Sequence, residues 1–89
     1  MKKLLSAAYI GNFQILLLYE DEQPKIFDFR EKLKDNLGDF EDLKDEKNFQ
    51  SYKILKDWNT IEWENGYDIS PEILYNSSKP AVVSRVGRF

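Results

Sequence analysis

The feature that most constrains the fold is an apolar segment near the amino terminus that a turn signal divides in two. Leu4 to Ile10 and Phe13 to Tyr19 are rich in residues that favour strands, and the intervening Gly11-Asn12 is typical of a hairpin turn. The second half is apolar on both of its alternating faces. The pattern therefore predicts an antiparallel hairpin whose second strand is central and covered on both sides.

The same segment resembles the start of a secretory signal, because Lys2 and Lys3 precede apolar residues. However, Gly11, Asn12 and Gln14 interrupt the apolar run, and no small-residue cleavage site follows it. No stretch approaches the roughly 20 apolar residues of a membrane span. The absence of cysteine means that folding does not need an oxidising compartment. We therefore expect two strands, no membrane association and a cytoplasmic location.

The rest of the chain alternates between strand and helix patterns. A third strand is predicted over Lys25 to Phe29, a helix over Arg30 to Leu37 with Gly38 as its C-cap, a capped helical turn or a loop over Asp39 to Lys47, strands over Phe49 to Leu55 and Thr60 to Glu64, and a second helix from Ser70-Pro71-Glu72 to about Tyr75. Short connections favour antiparallel pairing. The order β-β-β-α-β-β-α predicts an α+β fold with a small, mainly antiparallel sheet of about five strands and two short helices.

We divide the chain into a single α+β domain over residues 1–76 and a basic tail over residues 77–89. Asn76 to Pro80 reads as a linker. Ala81 to Phe89 is basic and prone to form a strand. This tail is either a loosely packed end or a strand that pairs with a sheet edge of its own domain, of a second copy or of another protein.

Composition excludes most enzyme chemistry. The chain has no histidine and no cysteine, which removes Cys/His zinc sites, cysteine nucleophiles and histidine-based dyads and triads. It has only four glycines and no phosphate-cradling loop. The acidic runs Glu20-Asp21-Glu22 and Glu62-Trp63-Glu64 lack the ligand spacing of a calcium loop. The sequence therefore predicts a protein that is not an enzyme and that has no metal and no cofactor.

Charge is distributed unevenly along the chain. Residues 1–78 carry ten basic and sixteen acidic residues, a net charge of −6, whereas residues 79–89 carry three basic residues and no acid. An acidic body is a poor electrostatic match for a phosphate backbone and a fair match for a basic protein. Ordinary solubilising charge is the simpler alternative.

The most distinctive segment runs from residue 61 to residue 75. It resembles the signature W-x-N-G-x-D-[IL]-x-P-E-x-L-Y of a small bacterial family, domain of unknown function 2442, through Trp63, Asn65, Gly66, Asp68, Pro71, Glu72, Leu74 and Tyr75. Upstream, Phe40, Leu43, Asp45 and Phe49 resemble a second stretch of that family, F-x-x-L-x-D-x-x-x-F. The resemblance covers about residues 7–76.

The resemblance implies a compact α+β domain without an assigned biochemical role. Members are often encoded beside another small protein, which implies an antitoxin-like or partner-binding role. Some members are joined to a DNA-binding helix-turn-helix, but the fourteen residues after Tyr75 are too few for one. Direct operator binding is therefore not expected of this chain.

Seven residues are candidates for a binding site, and each also has a structural interpretation: Trp58, Trp63, Gly66, Asp68, Pro71, Glu72 and Tyr75. Trp58 lies in a turn and could be an exposed interface anchor. Asp68 and Glu72 could form a carboxylate site beside Tyr75. Alternatively, Asp68 accepts backbone or indole hydrogen bonds and fixes the turn before the helix.

Trp63 is expected in the core, and Gly66 is expected to have a positive φ.

These observations lead us to expect a non-enzymatic interaction module, an antitoxin-like partner of another small, basic protein. A homodimer through a sheet edge or the tail is a further expectation. The alternative function is a nucleic-acid-linked regulatory domain that uses the basic tail.

Overall fold

The computed structural model of the chain describes residues 2–33 and 38–81. Within these two ranges the backbone forms six strands and four short helices, in the chain order β1 (Leu4–Gly11), β2 (Gln14–Tyr19), β3 (Lys25–Asp28), α1 (Arg30–Leu33), α2 (Gly38–Leu43), α3 (Glu46–Phe49), β4 (Lys53–Leu55), β5 (Thr60–Glu62), α4 (Pro71–Ser77) and β6 (Lys79–Pro80). The pairings are antiparallel, which confirms the predicted α+β class.

The larger sheet has the strand order β1-β2-β3-β6 and contains the predicted hairpin. Strands β1 and β2 are joined by a tight turn in which Gly11, Asn12 and Phe13 have φ of +95°, +53° and +59°. Left-handed backbone of this kind is easiest for glycine and asparagine, which explains why Gly11-Asn12 marks the turn. Strand β2 lies between β1 and β3, as its apolar composition predicts.

The sixth strand is formed by residues predicted as part of a linker. Helix α4 continues to Ser77, and Lys79 and Pro80 then pair with Ile26 and Lys25 of β3. Ala81 extends the contact, because its N–H donates to the carbonyl of Pro24 at 2.9 Å. The linker prediction is wrong because this pairing joins residues more than fifty positions apart, which local composition does not reveal. The rest of the predicted tail, residues 82–89, lies outside the described residues.

The smaller sheet is a two-stranded hairpin of β4 and β5. Its first strand, predicted over Phe49 to Leu55, begins only at Lys53, because Phe49 ends helix α3 and the chain then turns. Asp45 begins this helix, since its side chain accepts the Lys47 N–H at 2.8 Å. Strand β5 ends at Glu62, because the Trp63 N–H donates to the Tyr67 carbonyl at 2.7 Å and does not pair with β4. The predicted strands are thus divided between two sheets.

The segment between the sheets is more helical than predicted. Helix α1 begins at Arg30, and the predicted continuation over residues 34–37 lies outside the described residues. Gly38, predicted as a C-cap, is the first residue of α2. Residues 39–47, predicted as one helical turn or a loop, contribute to both α2 and α3. Sequence periodicity is a weak guide here because each helix has only four to six residues.

One face of the larger sheet packs against the hairpin and the helices. At the centre of this core are Phe29, Phe49 and Trp63, whose ring centroids lie 5.3 to 5.6 Å apart. Tilted ring contacts at such distances add to the stabilisation from burying large apolar area. The buried hydrophobic side chains are Leu4, Ile15, Leu17, Tyr19, Phe27, Phe29, Leu43, Phe49, Ile61, Trp63, Ile69 and Leu74.

The opposite face of the larger sheet is open in the part of the chain that the structure describes. Ile15 and Leu17 of β2 are fully buried, but Leu18 is 37% exposed and Leu16 is only half-buried. Residues 2–33 and 38–81 therefore cover only one face of β2, and the prediction that they cover both faces is wrong. Apolar residues on both faces of a strand indicate that both faces prefer to be buried, but they do not identify the segment that covers each face.

Candidate functional site

Among the residues that the structure describes, Trp58 is the most exposed of the large hydrophobic side chains, at 67%. It lies in the turn between β4 and β5, where its N–H donates to the Leu55 carbonyl at 3.0 Å. The next residue, Asn59, has φ of +54° and accepts the Leu4 N–H on its side-chain oxygen at 3.1 Å. The turn is thus tied to β1, and it holds a large aromatic ring in solvent. The predicted exposure of Trp58 agrees with the structure.

Trp58 borders a shallow cavity of about 360 Å³, which we call the Trp58 groove. The hairpin supplies one wall, and the chain leading into α4 supplies the other. Two of its lining residues, Thr60 and Ile69, are buried, and the Thr60 hydroxyl donates to the Ile69 carbonyl at 2.5 Å. The groove is lined by Leu55, Trp58, Thr60, Glu62, Asp68, Ile69, Ser70 and Pro71.

The charged groups that line the groove are both carboxylates. Glu62 and Asp68 form an isolated antiparallel bridge, so their side chains are cross-strand neighbours. Like charges in this arrangement repel each other. Lys53 lies opposite Glu62 on β4 but makes no ion pair with it within 4 Å. A cation placed between the two carboxylates would relieve this repulsion.

Asp68 does not have the structural role that the sequence suggested. Its side chain is exposed and accepts no hydrogen bond from the described residues. The indole N–H of Trp63 donates to the Phe49 carbonyl at 2.7 Å, and the side-chain oxygen of Asn65 accepts the Tyr67 N–H at 2.9 Å. Asn65 therefore fixes the turn, and the Asp68 carboxylate is available to a ligand.

Trp63 and Gly66 have the structural roles predicted for them. Trp63 is 1% exposed and lies in the aromatic core. Gly66 has φ of +91°, and its N–H donates to the Trp63 carbonyl at 2.9 Å to close the turn after β5. Neither residue lines the Trp58 groove. Both position the wall that carries Asp68.

Tyr75 belongs to a different part of the molecule from Asp68. Its hydroxyl donates to Glu22 at 2.6 Å, and its ring packs on Tyr19 with centroids 4.9 Å apart. The Lys25 ammonium lies 3.7 Å from the Tyr75 ring centroid and donates to the Tyr75 carbonyl at 2.7 Å. These contacts attach α4 to the larger sheet. The suggested site of Asp68 and Glu72 beside Tyr75 is therefore not formed around the Tyr75 hydroxyl.

The start of α4 supplies the remaining predicted residues. Ser70 accepts the Ile73 N–H as the N-cap, Pro71 is the first helical residue, and Glu72 lies exposed in the first turn. Ser70 and Pro71 line the groove, whereas Glu72 does not. Leu55, Glu62 and Ile69 were not predicted as site residues, because the strand and turn patterns do not show that residues 62 and 68 form a bridge across the turn between them.

The tyrosines near the core are poorly suited to acid–base catalysis at neutral pH. Burial raises the pKa of Tyr52, and burial together with neighbouring charge raises the pKa of Tyr19 to about 12. A hydrogen bond to Glu22 raises the pKa of Tyr75. These hydroxyls stay protonated across the physiological range. In the described part of the chain there is also no group of three or more Asp and Glu residues that could hold a metal ion.

None of the helices in residues 2–33 and 38–81 is long and apolar enough to cross a membrane. No curated protein and no solved structure matches the chain. The sequence pattern of a family described as protein of unknown function (DUF2442) matches residues 4–80. This match includes every strand and helix described above, and it agrees with the resemblance carried by residues 61–75. The chain belongs to the DUF2442 family.

Proposed function

We propose that this protein is a non-enzymatic interaction module whose Trp58 groove binds a basic segment of another small protein. The observation that carries the proposal is the exposure of Trp58, at 67%, beside the paired carboxylates of Glu62 and Asp68. In this proposal the protein acts in the cytoplasm as an antitoxin-like partner, and binding neutralises the other protein.

The chemistry of the groove favours an arginine side chain from the partner. A guanidinium can stack on the Trp58 ring and direct its N–H donors to a carboxylate. It would also separate the negative charges of Glu62 and Asp68. Leu55, Ile69 and Pro71 offer apolar surface to the aliphatic part of the same side chain.

The groove also has the anatomy of a small interaction hot spot. Tryptophan is enriched among residues whose truncation costs at least about 2 kcal/mol of binding free energy. The anchored turn holds Trp58 through the Leu55 carbonyl and the Asn59–Leu4 contact, so little order has to be gained on binding. The net charge of −6 over residues 1–78 would accelerate encounter with a basic partner.

The proposal can be tested by capturing partners from native lysate at low salt with the tagged wild type and with Trp58→Ala and Asp68→Asn. Binding of the captured protein is then measured by calorimetry. We expect one stoichiometric small basic protein, and a loss of affinity of about 30-fold for Trp58→Ala. Both changes are at exposed positions, so we expect unfolding free energies within about 0.5 kcal/mol of the wild type.

Matched controls are Glu64→Gln and Ile73→Ala. Glu64 is an exposed acid near the hairpin but outside the groove, and Ile73 is an exposed apolar residue on α4. Both should bind like the wild type. Equal affinity of all four variants would show that Trp58 and Asp68 do not contribute, and would reject the groove. Captured nucleic acid that is released by salt would instead support a regulatory role for the basic tail.

A further inference from the structure

The outer face of the larger sheet carries no charged side chain on β1 and β2, and its charged residue on β3 is Asp28, which is paired with Arg30. Cross-strand partners share a face, so the register of β1, β2 and β3 places eight residues on the side opposite the core. They are Ser6, Ala8, Ile10, Gln14, Leu16, Leu18, Ile26 and Asp28. We call this set the outer face. Charged residues make up 33% of the chain, so a face with one charged residue among eight is depleted of charge.

The outer face is also apolar and accessible. Ile10 is 47% exposed and Leu18 is 37% exposed, and Leu5 in the neighbouring bulge is 53% exposed. Leu16 and Ile26 are half-buried. Depletion of charge together with exposed aliphatic side chains is typical of a surface that another segment covers.

We propose that the outer face is the docking surface for residues 82–89 of the same chain. The path of the backbone supports this choice. Ala81 donates its N–H to the Pro24 carbonyl, so the chain leaves β6 one residue beyond the Lys25–Pro80 pair. Leu18 lies one residue beyond the Leu17–Lys25 pair on β2. Ala81 therefore lies in the same row of the sheet as Leu18, and residues 82–89 follow it in the chain.

The distances allow residues 82–89 to cross the face. Strand β6 lies about 10 Å from β2 and about 14 Å from β1, at about 4.8 Å per strand. Eight extended residues span up to about 27 Å. The segment therefore reaches Leu18 with residues to spare and can continue towards Ile10.

Its chemistry matches the face and its rim. Val82, Val83, Val86 and Phe89 supply apolar side chains, and Arg85 and Arg88 are basic. The turn at this end of the sheet carries the three carboxylates of residues 20–22. Because the segment follows Ala81 at this end of the sheet, arginines that extend back past the apolar surface would meet this acidic rim.

The size of the outer face argues against a second copy as its occupant. Between β1 and β3, and from residue 14 to residue 18 of β2, it measures about 10 Å by about 13 Å between backbone positions. Even with side chains, this falls well below the roughly 800 Å² per partner of a stable interface. It is comparable with the footprint of a short peptide.

The absence of cysteine allows a direct test in the full chain. A nitroxide is attached to Ser84→Cys, and paramagnetic broadening of methyl signals is measured by NMR. We expect severalfold intensity losses for Leu16, Leu18 and Ile26, with much smaller losses for Leu43 in the core at every protein concentration. Introducing Leu18→Lys should abolish the losses, whereas the matched change Ile73→Lys on α4 should leave them unchanged.

A second experiment shows whether the outer face is covered by residues 82–89 of the same chain or by a second copy. Nitroxide-labelled chains are mixed with isotope-labelled chains that carry no nitroxide. Broadening that appears in this mixture would assign the face to a second copy and overturn the proposal. The absence of broadening in the singly labelled chain would overturn it as well. Neither result depends on the Trp58 groove, which lies on the smaller hairpin.

Discussion

Tyr19→Phe is predicted to stabilise the protein, although it changes a core residue. Tyr19 is 1% exposed, and its hydroxyl has no hydrogen-bond partner among the described residues. A buried polar group without a partner costs about 1–3 kcal/mol. Removing the hydroxyl leaves a void of only about 10 Å³, which costs about 0.2 kcal/mol. We therefore expect a gain of about 1 kcal/mol in unfolding free energy at pH 7.

The same substitution should change the response to alkaline pH. Burial, followed by the proximity of Tyr75 and Glu22, raises the pKa of Tyr19 from 10.0 to about 12. As pH rises, the Tyr19 hydroxyl ionises in the unfolded chain before it ionises in the folded chain, which favours unfolding. The unfolding free energy of the wild type is therefore unaffected by this group below pH 10 and falls as pH rises towards 12. Two pKa units correspond to about 3 kcal/mol. The advantage of Tyr19→Phe should therefore widen over this range.

Urea unfolding followed by circular dichroism at pH 7 and at steps from pH 9 to pH 12 measures both effects. For Tyr19→Phe at pH 7, the slope of the unfolding free energy against urea concentration should equal that of the wild type, and the urea concentration at the midpoint should be higher. Tyr52→Phe is the matched control, because the Tyr52 hydroxyl donates to the Ala7 carbonyl at 3.2 Å, and its removal should cost about 1 kcal/mol. A loss of 1 kcal/mol or more for Tyr19→Phe at pH 7 would refute the reasoning.

Two further predictions concern the turn that carries Asp68. Trp63→Phe should lower the unfolding free energy by about 3 kcal/mol, because it opens a cavity and leaves the Phe49 carbonyl without its indole donor. Urea unfolding measures this loss, and a loss below about 1 kcal/mol would contradict the prediction. Gly66→Ala should lower the unfolding free energy by about 1 kcal/mol through the φ of +91° alone, since no atom lies within 4 Å of the added carbon. Asparagine tolerates this backbone conformation better, so Gly66→Asn should lower the unfolding free energy less, and equal losses would contradict the explanation.

The hairpin of β1 and β2 shows what local sequence predicts well. Alternating apolar residues and the left-handed preference of Gly11-Asn12 act between neighbouring residues, so they can be recognised without the fold. The start of α4 is similar, because Ser70 and Pro71 satisfy or avoid backbone N–H groups within one turn. Exposure of Trp58 and burial of Trp63 were also predictable from turn and strand patterns.

Short elements near the middle of the chain were harder to predict. Phe49 fits a strand pattern, but Asp45 caps a helix that ends at this residue and buries its ring beside Trp63. Burial against the core decides between the two conformations when an element has only four residues, because intrinsic preferences are small. The length of β4 followed from that tertiary contact.

By itself, the sequence determined the α+β class, the amino-terminal hairpin, the start of α4 and the lack of histidine and cysteine chemistry. The tertiary structure decided that Lys79–Pro80 becomes a strand, that Asn65 and not Asp68 holds the turn, and that Glu62, Asp68 and Trp58 share one groove. The physical reasons differ between these features. The pairing of β6 with β3 joins residues more than fifty positions apart, which no local pattern predicts. The turn contact of Asn65 and the groove involve residues close in the chain, but they depend on how the folded backbone orients each side chain.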